Sequence, residues 1–154
     1  VLFFLENNLY GMGSRVDQTH AGGQDIYLTA DAYKIPAAQI DGMDLLVVRE
    51  ATLEALERVR SGGRPVLIEA MTYRFRGHSM ADPAAYRDAL EAKEWTAKDP
   101  IEKYRAFALA EGLVTQDEID RVGLEVDATI EEAVRFADES PEPDNDSLTR
   151  YVYA

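Results

Sequence analysis

The segment from Ala38 to Met71 leaves this chain the least choice of fold. Ala38–Ile40 reads as a short strand stopped by Asp41-Gly42. Asp44 follows as a plausible N-cap, and Val47, Val48, Ala51, Ala55, Leu56 and Val59 then recur at helical spacing. Ser61-Gly62-Gly63 ends that helix and Pro65 bars its extension. Val66–Met71 reads as another buried strand. Strand, helix, strand with short joints is a crossover between parallel strands, so an α/β fold with a parallel sheet is expected. Val1–Leu5, continuously apolar and closed by Glu6-Asn7-Asn8, reads as one more buried parallel strand. Such a strand needs neighbours on both sides, which predicts that the chain is a piece of a longer protein. It is no signal peptide, because no basic region precedes it and the apolar run is too short.

The chain has 154 residues, enough for one domain with a real core. Its 16 basic and 29 acidic residues give a formal charge of −13. Nucleic-acid binding needs a basic stripe, and only small basic spots such as Arg74/Arg76 occur, so no nucleic-acid partner is expected. No apolar run is long enough to span a membrane. The absence of cysteine excludes disulfides and thiolate metal sites.

Residues 11–36 are rich in Gly, Ser, Asp, Thr and Gln without a sustained period. They read as a long ordered loop with one short helix near Asp31–Tyr33, and loops of that length are usually functional. Residues 73–87 form a second polar loop after the Val66–Met71 strand. Asp99-Pro100 caps a helix with Ile101, Tyr104, Phe107 and Ala108 on one face and Gly112 at its end. Thr115-Gln116-Asp117-Glu118 is a capping box. It opens a long helix expected to turn Ile119, Val122, Val126, Ile130, Ala133, Val134 and Ala137 inward, until Pro141 and Pro143 stop it. Tyr151–Ala154 reads as an edge strand or docking segment. The expected organisation is an α/β region over residues 1–87 followed by a helical region over 88–154.

Ligands of open parallel sheets bind outside the carboxyl ends of strands. Two such ends carry chemistry here. Glu6-Asn7-Asn8-Leu9-Tyr10-Gly11-Met12-Gly13 offers carboxamide oxygens and main-chain carbonyls. Neutral oxygens beside a diphosphate suit Mg²⁺, and the alternative is a polar turn whose Asn side chains satisfy the backbone. Arg74-Phe75-Arg76-Gly77-His78-Ser79 sets two cations beside an imidazole, suited to an anion and to proton handling, or to a plain solvated loop. His20 reads as an ordinary surface residue, and two histidines without thiols make no zinc site. A Ser79–His78 triad is unsupported, since no Gly-x-Ser-x-Gly elbow is present. No Gly-x-Gly-x-x-Gly or Walker sequence appears either, which argues against a general nucleotide-binding module.

Leu5–Ser14, Ile40-Asp41-Gly42-Met43-Asp44 and Thr72–Pro83, in that order and spacing, resemble the E1 α-subunit family of pyruvate dehydrogenase, among the thiamine diphosphate-dependent 2-oxo acid dehydrogenases. Asp99-Pro100-Ile101 and the closing Pro-Glu-Pro…Tyr-Val-Tyr agree. The resemblance covers the C-terminal part of that subunit, so it implies part of a thiamine diphosphate-binding α/β domain followed by a helical region. It implies thiamine diphosphate and Mg²⁺ as cofactors, with the Asn8 side chain and the Tyr10 carbonyl as metal ligands. The Gly-Asp-Gly half of the cofactor motif would lie upstream of Val1. His78 matches the histidine of the loop over the cofactor, with a catalytic and cofactor-contacting role, and Arg74 braces that loop. Ser79 matches a regulatory phosphorylation site, whereas Arg15 and Ala85 stand where two further phosphorylated serines would be. The implied partners are an E1 β subunit in an α2β2 heterotetramer, the upstream segment, and the lipoyl acyltransferase E2. The implied location is the cytoplasm for a bacterial protein, and the mitochondrial matrix or plastid for a eukaryotic one. The implied reaction is oxidative decarboxylation of pyruvate with acetyl transfer to the lipoyl group of E2. The alternatives are the α subunit of a branched-chain 2-oxo acid or acetoin dehydrogenase, or a non-catalytic fragment lacking the upstream half-site.

Overall fold

The computed structural model describes residues 1–150 and Val152. It divides into two compact units, Val1–Phe107 and Ala108–Ala154.

The first unit is built on a three-stranded parallel sheet of β1 (Leu2–Asn7), β4 (Ala37–Asp41) and β5 (Val66–Met71), in the order β1-β5-β4. The register pairs Leu2 with Val66 and Ala37 with Leu67. The parallel crossover from β4 to β5 runs through α2 (Leu45–Arg60), as the pattern predicted. Asp44 caps α2 by accepting from the Leu46 and Val47 amides, and Gly62 leaves the helix at φ +85. Helix and sheet meet in a small core of Ala55, Val66 and Ile68, with Leu2, Ile40, Ala51 and Val59 around it. The first strand forms where its apolar run stands, but among the described residues it pairs with β5 on one side only. Phe3 and Phe4, which point to opposite faces, are close to half exposed in this chain, where the pattern predicted burial.

Residues 8–36 hold more structure than their composition suggested. β2 (Tyr10–Gly11) and β3 (Ser14–Arg15) form a two-stranded antiparallel ribbon, followed by the single-turn α1 (Val16–Thr19). A 3-10 helix covers Ile26–Tyr33, longer than the short helix expected near Asp31–Tyr33. α3 (Ala89–Thr96), capped by Asp88, is a helix that the sequence reading did not separate from its surroundings. α4 (Pro100–Ala110) starts at the Asp99-Pro100 signal, where the Ile101 amide donates to Asp99 Oδ1 at 2.9 Å.

The second unit contains α5 (Gln116–Glu139) and a short 3-10 helix, Asn145–Leu148. Thr115 and Glu118 form the reciprocal capping box that their spacing announced. The apolar stripe of α5 does not face inward within the chain: Val122, Val126, Ile130 and Val134 are all more than half exposed. A helical period specifies that a face is apolar, and not what covers it. Of the expected terminal segment, Tyr151, Tyr153 and Ala154 lie outside the described residues.

Candidate cofactor site

The carboxyl ends of β1 and β5 carry the two segments singled out by sequence. The Thr72 amide donates to the Asn7 carbonyl at 2.9 Å, which holds the two strand ends together.

Beyond β1 the chain makes two overlapping side-chain turns. Asn7 Oδ1 accepts from the Leu9 amide at 3.0 Å, and Asn8 Oδ1 accepts from the Tyr10 amide at 3.0 Å. An Asn oxygen that bonds two residues ahead imitates a backbone turn and tolerates an unusual residue inside it. That residue is Leu9, which sits in the left-handed region at φ 69 with its side chain buried. Asn7 is 3% exposed and donates through Nδ2 to the Gln24 carbonyl at 3.0 Å and to Glu69 Oε1 at 2.7 Å. Glu69 is 0% exposed, and its other oxygen accepts from the Tyr27 amide at 2.9 Å and Gln39 Nε2 at 3.3 Å. Sequence reading missed Glu69, although an acidic residue inside an apolar strand run is the visible signal.

Tyr10 is buried beside Tyr73, Tyr86 and Trp95. Its ring lies 6.3 Å from Tyr73 and 5.8 Å from Tyr86, and Tyr73 stacks on Trp95 at 5.6 Å. The Tyr10 hydroxyl donates to Glu91 Oε2 of α3 at 2.5 Å and accepts from Arg15 Nη1 at 3.2 Å. Burial first, and the Glu91 carboxylate second, push the Tyr10 phenol up to about 12. Tyr10 therefore stays a neutral hydrogen-bond donor and anchors the turn to α3.

The Arg74–Ser79 loop is organised from within by Asp82. This side chain accepts from the His78 amide at 2.7 Å, the Ala84 amide at 2.8 Å and the Tyr86 hydroxyl at 2.6 Å. Those donors, Tyr86 foremost, hold the Asp82 carboxyl down to about 2. Gly77 is required by close approach, because a Cβ there would stand 2.4 Å from the Asp82 carbonyl oxygen. Arg74 Nη2 donates to the His78 carbonyl at 3.0 Å. His78 and Ser79 are exposed on it. Arg87 joins the two segments: its guanidinium lies 5.1 Å from the Tyr10 and Tyr73 ring centres and donates to the carbonyls of Arg74 and Arg76. Arg87 and Glu91 were also missed, since nothing in their own sequence neighbourhood sets them apart. His20 accepts from the Gly22 amide in a local turn.

Among the described residues, no group of three or more His, Cys, Asp or Glu could hold a metal. What this end of the sheet offers instead is neutral oxygen, from the Asn8 carboxamide and the main-chain carbonyls of the turn. That donor set fits a hard cation whose charge is balanced by phosphate oxygens, and it does not fit a softer metal held by the chain alone. No helix among the described residues is long and apolar enough to cross a membrane.

A family model described as "Dehydrogenase E1 component" matches residues 1–146. The chain is 40% identical over 154 residues to the pyruvate dehydrogenase E1 component subunit alpha of Porphyra purpurea, covering 100% of this chain and 44% of that protein. It is 40% identical to the subunit of the same name from Rhizobium meliloti over 96% of this chain and 42% of that one. It is 41% identical to the somatic, mitochondrial form from Homo sapiens over 99% of this chain and 39% of that one. The chain thus spans less than half the length of these relatives.

Proposed function

The chain belongs to the dehydrogenase E1 component family, and from that premise we propose that it forms the C-terminal part of the α subunit of a pyruvate dehydrogenase E1. In this reading the complete enzyme decarboxylates pyruvate oxidatively and passes the acetyl group to the lipoyl group of E2. It works as an α2β2 heterotetramer with an E1 β subunit, and the segment upstream of this chain in the same subunit completes the site. The whole works in the matrix or plastid of a eukaryote or the cytoplasm of a bacterium.

The observation that carries this reading is the double Asn turn at the end of β1, with Leu9 held left-handed between the Asn8 carboxamide and Tyr10. The Asn8 side chain and the Tyr10 carbonyl would hold Mg²⁺, with further oxygens from the upstream segment and from the diphosphate. Thiamine diphosphate supplies the carbon nucleophile and electron sink that decarboxylation needs. The chain's own part is to bind and orient. Tyr10, anchored by Glu91 and flanked by Arg15 and Arg87, fixes the turn against α3. His78 and Arg74, on a loop folded around Asp82, would face the diphosphate. Their cationic and proton-donating groups suit an anion, and closing over it excludes water. Ser79, exposed beside His78, is the residue at which a phosphate would add like charge next to the diphosphate and hold the loop away.

The test is calorimetric titration of Mg²⁺ and thiamine diphosphate into the complete α/β assembly. Asn8→Ala removes one hard oxygen, and the expected result is weaker binding of Mg²⁺ and thiamine diphosphate, with a higher half-saturating Mg²⁺. Unchanged affinity at limiting Mg²⁺ overturns the ligand assignment.

A further inference from the structure

We propose that Glu69 is a positioning residue for the metal turn, acting through Asn7 without touching metal or cofactor. This deepens, and rests on, the metal reading of Asn8 and Tyr10 given above.

Glu69 sits in the middle of the central strand β5, with Leu5 of β1 and Gln39 of β4 as its register partners. Strand alternation sends Val66 and Ile68 to the α2 side, where they form the core, and Glu69 and Met71 to the opposite face. Met71 on that face packs against Leu9, Tyr10 and Tyr73. The Glu69 carboxyl meets three donors: Asn7 Nδ2 at 2.7 Å, the Tyr27 amide at 2.9 Å and Gln39 Nε2 at 3.3 Å. One fully buried side chain therefore ties the end of β1, the 3-10 segment Ile26–Tyr33 and β4 together.

The three donors require a group that only accepts. An amide at position 69 would turn its NH₂ toward either Asn7 Nδ2 or the Tyr27 amide. Asn7 cannot answer by rotating its own amide. Its oxygen is taken by the Leu9 amide, and its nitrogen also serves the Gln24 carbonyl. The Tyr27 donor is main chain and fixed. Either arrangement sets donor against donor in a buried place, where an unmet polar group is expensive. The disturbance on the Asn7 side falls on the turn that holds Leu9 left-handed and sets Asn8 and Tyr10. Groups that orient metal ligands from behind commonly change metal affinity by about 10- to 100-fold when altered.

The experiment uses the complete α subunit assembled with its β partner, and reads half-saturating Mg²⁺ calorimetrically at saturating thiamine diphosphate. Glu69→Gln is expected to raise it about tenfold. Ile68→Ala is the companion variant on the same strand. It opens the core on the opposite face and should lower thermal stability while leaving the Mg²⁺ requirement within about threefold of the parent. An equal rise in Ile68→Ala would mean general loosening and would overturn the proposal. Asn7→Ala with Glu69→Gln should be no worse than Asn7→Ala alone, and multiplying effects would refute the route through Asn7. Should the glutamine variant not assemble, Glu69→Asp, which keeps the acceptors but shortens their reach, takes its place with the same expectation and the same refutation. If Asn8→Ala weakens Mg²⁺ binding and the position-69 variants do not, the positioning role alone is wrong. If Asn8→Ala has no effect either, the metal reading itself falls.

Discussion

Gly42 stands where β4 leaves the sheet, and replacing it by alanine would strain the joint beside Met71 and Thr72. A Cβ built there lies 2.6 Å from Thr72 Cγ2, 2.7 Å from the Met71 carbonyl oxygen and 3.0 Å from Ala70 Cβ. The threonine methyl can swing aside. The Met71 oxygen cannot, because it accepts from the Gly42 amide at 2.9 Å. Relief therefore means parting the ends of β4 and β5 by roughly half an ångström and weakening that bond. Overpacking of this kind costs about 1–3 kcal/mol, and a weakened backbone bond about 1 kcal/mol more. The stiffer unfolded chain returns about 0.4–1 kcal/mol. The net expectation is a loss of about 2 kcal/mol, or roughly 30-fold in a local opening equilibrium. Hydrogen exchange on the complete subunit would read it as faster exchange at the amides of residues 42 and 72, after correction for intrinsic rates. Thr72 is included because its amide bonds the Asn7 carbonyl, so strain at Gly42 should reach the turn. Exchange within threefold of the parent at both amides would refute the steric reasoning.

Two shorter expectations concern charge. Lys103 of α4 meets Asp44, the cap of α2, at 2.6 Å, and this contact and the capped amides lower the Asp44 carboxyl while Asp44 raises the Lys103 ammonium. The Asp44 contribution is complete above the ordinary carboxyl range and is lost as pH falls through its lowered value. The Lys103 contribution is complete below the ordinary lysine range and is lost as pH rises through its raised value. Denaturation midpoints across pH should show Asp44→Asn, which still caps, losing the acid limb, and an unchanged limb would contradict the pairing. Arg87→Lys keeps the charge but not the planar guanidinium, whose Nη1 donates to the carbonyls of both Arg74 and Arg76 while its centre lies 5.1 Å from the Tyr10 and Tyr73 ring centres. Trypsin should then cut after Arg74 and Arg76 faster in the complete enzyme, and equal cleavage would show that Arg87 does not hold the loop.

Where hydrophobic period and end signals coincide, the sequence was enough. Asp44 and Gly62 bound α2, Asp99-Pro100 starts α4, and Thr115 with Glu118 starts α5, because each signal satisfies backbone groups locally. The Asn7-Asn8 turn was visible as a pair of residue types, and its two side-chain bonds are equally local. What stayed hidden depends on partners far along the chain. Glu69 is read as one more strand residue until Asn7, Tyr27 and Gln39 converge on it. Arg87 gains meaning only when Tyr10 and Tyr73 arrive beneath it. The exposure of Phe3 and of the α5 stripe shows the same limit from the other side, since an apolar pattern names a need for cover without naming what supplies it.

The strand order has a consequence for synthesis. β5 comes last of the three strands and lies between the other two, so Leu2 waits for Val66, its register partner, and β4 waits for β5 as well. At translation rates of about 5–20 residues per second, that interval lasts on the order of several seconds. During it the Leu-Phe-Phe-Leu stretch of β1 is an apolar segment without its β5 partner. The last of these three strands to appear also carries Glu69, so their pairing and the buried carboxyl that holds Asn7 arrive with the same stretch of nascent chain. A stall or rare-codon pause placed before Val66 would lengthen the wait of β1 and β4 for β5, and one placed after Met71 has cleared the exit tunnel would not.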